Sequence, residues 1–450
     1  MRACFLSLAL SFAIAATAQV AAAQNPALDA KVDQELPSLV STYKALHAAP
    51  ELSHHEDKTA TLLANELRGF GYDVTEHVGK YPNPQWQGHG IVAILKNGTG
   101  PTVLVRADMD ALPVEEATGL PYASHVHTKN DAGVDVGVMH ACGHDIHVTS
   151  LIGTAKLLAS AKDQWHGTLV LIGQPSEETI DGAKSMLADG LYSRIPKPDY
   201  ALALHDSSEL ETGKIGYTSG YALASSTSVD VIIRGRGAHG SRPEVSKDPI
   251  VLASEFVMAI QTIVSRENSP FDPAVVTVGS IHGGTKYNII PDDVHLQLTI
   301  RTYKEEVRQH ILASLDRIAK GLALAGGIPE DRAPIVKASE TEVTPAMYND
   351  PALTEREVAA LKRGLGADNV VEKPPVMGSE DFGQFGLEGH KIPTFMFMVG
   401  AIDTDRIATS QKTGVPLPSL HSSQFWPVPE PTIRAGVRAM SVAVLELMKK

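Results

Sequence analysis

Two spacings of apolar residues divide this chain into elements. Helical spacing covers 24–48, ending near Pro50, and 59–70, where Leu62, Leu63 and Leu67 share a face and Gly69 and Gly71 stop the helix. Apolar strand-like runs follow at 91–96 and 102–106, joined by the turn Asn97-Gly98-Thr99-Gly100. GTLVLIG at 167–173 and DYALAL at 199–204 are two more such runs. Helices are predicted over 148–161 and 183–189.

Beyond Ser225 the pattern changes. A strand through SVDVIIRGRG is followed by an amphipathic helix over 250–265 and strands over 275–279 and 294–303. A helix over 305–325 and a strand over 335–343 complete the set. The order β-α-β-β-α-β is that of a ferredoxin-like unit. The chain returns through a helix over 354–365, a strand over 393–399 and a closing helix over 431–448. The predicted fold class is α/β: a mixed-sheet α/β/α domain over 24–220 and 344–450, with a ferredoxin-like α+β domain inserted over 221–343.

A length of 450 residues agrees with two domains. The formal net charge of -13 argues against a nucleic-acid partner. Arg2, the apolar run 5–16 and the alanines 21–23 before Gln24 read as a signal peptide over 1–23, cleaved near Ala23. The run is too short for a comfortable membrane span. The protein is therefore expected in the periplasm or outside the cell, with no membrane partner. Cleavage removes Cys4 and leaves Cys142 as the single cysteine, which cannot form an internal disulfide. A lone thiol in an exported protein is more easily explained as a ligand than as a staple.

Cys142 lies in GVMHACGHDIH, 137–147, with His140, His144, Asp145 and His147. Cys142 and His144 can face one ion if the backbone between them turns, which Gly143 permits. The N-terminus of the following helix lowers a thiol pKa. The alternative is a buried cysteine among incidental histidines. Three predicted strands end in polar residues: RADMDALP with Asp108 and Asp110, QPSEE with Glu177 and Glu178, and the pair His205-Asp206. Strand C-terminal ends are where open α/β sheets carry their sites. Adjacent carboxylates suit a division between metal binding and proton transfer. Each alone reads equally well as a helix cap or a solvated turn; their recurrence points to one shared site. His239 in GRGAHGSRP, Asn288 after Lys286-Tyr287, Gly378-Ser379 before Glu380-Asp381, and His421 in LHSSQF are ambiguous singly.

Taken in order, RADMDALP, MHACGHDIH, QPSEE, the His205 strand end, GRGAHGSRP, the Asn288 segment, GSEDF and the His421 loop make the chain resemble the aminoacylase/carboxypeptidase group of dinuclear metal hydrolases. The resemblance is to its amidohydrolase branch, with hippurate hydrolase and auxin-conjugate hydrolases, and covers nearly the whole mature chain. It implies that Cys142, His144, Glu178, His205 and His421 are metal ligands, Glu177 the general base and Asp110 a supporting carboxylate. It implies two divalent ions per chain, zinc or manganese, with cobalt and nickel as alternatives. Relatives outside this branch carry histidine at the position of Asp108, and Cys142 and His144 take over that role here. By the same resemblance the inserted domain is a lid and dimerisation domain, a homodimer is expected, and His239 reaches the partner's site to stabilise the oxyanion. Asn288 and Arg301, with Gly378 and Ser379, are the candidates for holding a substrate carboxylate.

The activity this implies is metal-dependent hydrolysis of the amide bond of N-acyl amino acids. One alternative is a dipeptidase or carboxypeptidase acting on short peptides with the same machinery. Another is a catalytically inactive periplasmic metal- or peptide-binding protein. Glu177 speaks against the last, because a pure binding site needs no base beside Glu178.

Overall fold

The structure is a computed structural model that describes residues 26–387 and 391–450; the signal peptide expected over 1–23 lies outside the described residues. The first part of the chain contains helices α1 (Pro26–His47) and α2 (Asp57–Gly69) and strands β1 (Asp73–Val78), β2 (Gly90–Asn97) and β3 (Thr102–Asp108). Helix α3 (His144–Ser160), β4 (Gly167–Gln174), α4 (Gly182–Ala188), β5 (Tyr200–Glu211) and β6 (Ile215–Tyr217) follow. The inserted unit holds β7 (Ser225–Arg234), α5 (Pro249–Thr262), β8 (Ala274–His282), β9 (Asp293–Thr302), α6 (Glu305–Ala325) and β10 (Ile335–Thr344). The chain ends through α7 (Pro351–Leu365), β11 (Val370–Glu372), β12 (Thr394–Ile402), α8 (Thr404–Thr413) and α9 (Pro429–Met448).

Eight strands form one mixed sheet in the order β1-β2-β4-β3-β5-β12-β6-β11. The central strands β4, β3, β5 and β12 run parallel. Their apolar runs are buried almost throughout, as strands covered by helices on both faces must be. Helices α1, α2, α3, α7 and α9 pack one face over the larger core, and α4 with the turn Phe382–Gly386 packs the other. The turn at 97–100 joins β2 to β3, but the two do not pair. β4 lies between them, antiparallel to β2 and parallel to β3.

Three boundaries differ from the periodic pattern in ways that matter for the site. α3 begins at His144, because Gly143 takes a left-handed turn (φ 76°) that starts the helix inside the Cys/His stretch. β5 runs on through His205 and Asp206, so these residues sit within a strand and not beyond its end. α8 has no buried residue, so no apolar stripe announced it.

The inserted unit has the βαββαβ order and an antiparallel sheet, β8-β9-β7-β10, over its own core of Phe256, Leu296, Ile300 and Leu315 among others. Pairing of Gly220–Leu223 with Met347–Asn349 closes its base, so the chain enters and leaves side by side.

Candidate metal centre

The fold brings all five expected ligands to one place. Cys142 Sγ lies 3.6 Å from His205 Nε2 and 3.3 Å from His421 Nε2. His421 Nε2 is 3.5 Å from Glu178 Oε2, and His144 Nε2 is 3.9 Å from Glu178 Oε1. Two donor triads result, Cys142–His144–His205 and Cys142–Glu178–His421, each with its donor atoms within 4.8 Å of one another. The thiol belongs to both.

The histidines are oriented to donate lone pairs. His144 Nδ1 faces the Asp110 carbonyl oxygen at 2.8 Å, and His205 Nδ1 faces that of Asp206 at 2.7 Å. A carbonyl only accepts, so each Nδ1 carries the proton and each Nε2 is free for a cation. His144 Nε2 and Glu178 Oε1 are buried without a hydrogen-bond partner among the described residues, a cost that a bound cation removes. Burial, then the carboxylates of Glu178 and Glu177, push the Cys142 thiol up. A divalent cation bound among these carboxylates would oppose that rise and hold Cys142 as the thiolate. Thiolate, imidazole and carboxylate together suit a borderline divalent ion.

Asp110 organises the acids. Its carboxylate accepts the N–H of Glu177 at 3.1 Å, the N–H of Glu178 at 3.0 Å and the Ser53 hydroxyl at 2.6 Å. Glu177 is buried beside Glu178, and burial followed by Glu380 and Glu178 raises its carboxyl well above the usual range. Ser176, just before it, has φ 55°. Glu56 holds that conformation by accepting the Ser176 N–H at 2.7 Å, while Ser176 Oγ receives the His54 N–H and the Tyr81 hydroxyl, each at 2.9 Å.

Sequence reasoning missed Ser53, Glu56 and Arg106. Arg106 is wholly buried within β3 and donates to Asp108 at 2.5 Å, Gln174 at 2.8 Å, Glu380 at 2.7 Å and Asp381 at 3.1 Å. Glu380 and Asp381 thus neutralise an arginine, and each also accepts a backbone N–H in the first turn of a helix, Glu380 that of Phe382 and Asp381 that of Ala183, both at 2.9 Å. Asp108, between Arg106 and His147 Nδ1 at 2.5 Å, is likewise engaged. A charge inside the apolar run VLVRAD was the available signal, since a buried arginine demands buried acids.

The cluster opens into a cavity of about 880 Å³ between the main sheet and the inserted unit, lined also by Arg301, Gly378 and Ser379. Arg301 Nη1 donates to Ser379 Oγ at 2.5 Å. His239 and Asn288 are not on this lining. They sit together in the inserted unit, where the Gly240 N–H donates to the Asn288 carbonyl at 2.8 Å and the His239 side chain is exposed.

The model of peptidase family M20/M25/M40 matches residues 104–421. Hippurate hydrolase of Campylobacter jejuni is 38% identical over 342 residues, covering 76% of this chain and 82% of that protein. Thermostable carboxypeptidase 2 of Saccharolobus solfataricus is 35% identical over 414 residues, 92% of this chain and 96% of that one. A solved dinuclear metal binding peptidase of the M20 family from Bacillus subtilis superposes with a TM-score of 0.72 at 28% identity, covering 92% of this chain and 100% of that one. The match runs from β3 to the last expected ligand, His421, and the chain belongs to peptidase family M20/M25/M40.

Proposed function

We propose that this protein is a metal-dependent hydrolase that cleaves the amide bond of N-acyl amino acids. The observation that carries the reading is the convergence of Cys142, His144, Glu178, His205 and His421 beside the buried carboxyl of Glu177. Two divalent ions, zinc or manganese, when bound there polarise the acyl oxygen and acidify water. Glu177 removes a proton from the water that attacks the acyl carbon and returns it to the leaving amine nitrogen. Asp110 keeps Glu177 and Glu178 in position through their backbone N–H groups. Arg301 and Ser379 take the substrate carboxylate, with Gly378 leaving room beside them. The inserted unit serves as lid and dimer contact. His239 of a partner subunit supplies an oxyanion donor, with Asn288 in the same loop system. The chain is exported after cleavage near Ala23.

Likeness to hippurate hydrolase supports this substrate class, whereas likeness to carboxypeptidase 2 over a larger share of the chain favours a second reading, cleavage of short peptides. Rates on N-acetyl and N-benzoyl amino acids against dipeptides of the same C-terminal residue separate the two. Glu177→Gln should bind metal as the wild type does and lose roughly 10²–10⁴-fold in turnover. Undiminished turnover would remove Glu177 from the chemistry.

A further inference from the structure

We infer that the cleft selects N-acyl amino acids whose own side chain is large and apolar, such as leucine, methionine or phenylalanine. The inference rests on the hydrolase reading above and adds which amino acids that site takes. Arg301, its Nη1 fixed on Ser379 Oγ and with no carboxylate partner among the described residues, is where an α-carboxylate docks. The acyl carbon belongs beside Glu177 and the Cys142–His205–His421 cluster. The substrate Cα therefore falls between these two points, and its side chain meets the wall that joins them.

That wall carries an apolar strip, beside the hydroxyls of Ser226 and Ser228. At the Arg301 end, the Ala224 N–H donates to the Gly378 carbonyl at 2.8 Å, and a Cβ on Gly378 would stand 3.7 Å from Leu223 Cδ2. Val376 is bridged to Leu223. At the other end Met398 stands opposite His205 in the parallel register of β12 and β5, and Met396, two residues earlier, shares its face. All four residues line the cavity. Thioethers on flexible stems adapt to branched and aromatic shapes alike, so breadth among large apolar side chains is favoured over a fit to one. Charge argues against an acidic side chain: Lys373 shares the lining with Glu209 and Glu342, which leaves no surplus positive charge to receive one.

The test is kcat/KM of the metal-loaded protein on N-acetyl derivatives of glycine, leucine, methionine, phenylalanine, aspartate and lysine, with the acyl group held constant. Leucine, methionine and phenylalanine should exceed glycine and aspartate by roughly tenfold to a hundredfold. Leu223→Ala and Met398→Ala should each lower the phenylalanine-to-glycine ratio by at least about fivefold. Should either variant not fold, the wild-type panel decides. A flat response, or a preference for aspartate or lysine, overturns the inference and leaves the hydrolase reading standing. Hydrolysis of no member, nor of any N-benzoyl counterpart, overturns both.

Discussion

Glu56 and Ser176 stand 120 residues apart in the sequence, yet the carboxylate of the first accepts the backbone N–H of the second at 2.7 Å. Ser176 carries a positive φ that a residue with a side chain keeps only when its surroundings hold it. Glu177 follows directly, so this contact sets the direction from which the base enters the site. Glu56→Ala should lower kcat by about tenfold or more while metal content stays at the wild-type level. Glu56→Gln, whose amide oxygen still accepts that N–H, should recover most of the loss. Wild-type kcat in the alanine variant would show that the contact does not position Glu177.

His239 makes a prediction about assembly. It is exposed and off the cavity lining of its own chain, so it acts on a neighbour's site if it acts at all. His239→Ala should cost roughly a hundredfold or more in turnover with metal retained. Co-expressed His239→Ala and Glu177→Gln chains should regain about one quarter of wild-type activity, because half of randomly paired dimers then hold one intact site. No recovery in verified mixed dimers would show that His239 does not act on the partner's site, and wild-type turnover in His239→Ala would place it outside the mechanism.

Glu357 on α7 predicts a pH-dependent stability unrelated to the chemistry. It is fully buried, and neither carboxyl oxygen has a partner among the described residues. Burial, aided by Glu446, pushes its pKa from 4.5 up to about 8. Between these values the folded chain keeps a proton that the unfolded chain releases, so stability falls as pH rises through this window and levels off above it. Glu357→Gln should therefore be more stable than wild type at pH 8, by at most about 5 kcal/mol at 1.36 kcal/mol per pK unit. Near pH 4.5 the two should nearly coincide. Denaturation curves at both pH values check this, and an equal gain at both would contradict it.

The parts of the site that were legible in the sequence are those whose chain neighbours are also their neighbours in space. Gly143 between Cys142 and His144, and the adjacent Glu177 and Glu178 after an apolar strand, carry their geometry locally. Arg106 does not: Glu380 and Asp381 lie 274 and 275 residues away, and no periodicity links them. The surroundings of Cys142 were hidden for a related reason. A helix terminus is a local feature, whereas the burial that pushes the thiol up, and after it the carboxylates of Glu178 and Glu177, come from the folded chain. Strand order was hidden as well. An apolar run shows that a strand is buried without showing which strand lies beside it, and β4 separates two strands that a short turn connects.

The central claim is that five side chains bind metal for hydrolysis at Glu177. Its most direct test is to strip the protein with a chelator, reload it with zinc, manganese, cobalt or nickel, and record metal content together with hydrolysis of N-acetyl and N-benzoyl amino acids. The expected result is about two ions per chain, no hydrolysis when stripped, and hydrolysis restored on reloading. Cys142→Ala should lose bound metal in the same assay. Full hydrolysis by the stripped protein, or wild-type metal content without Cys142, would contradict the account.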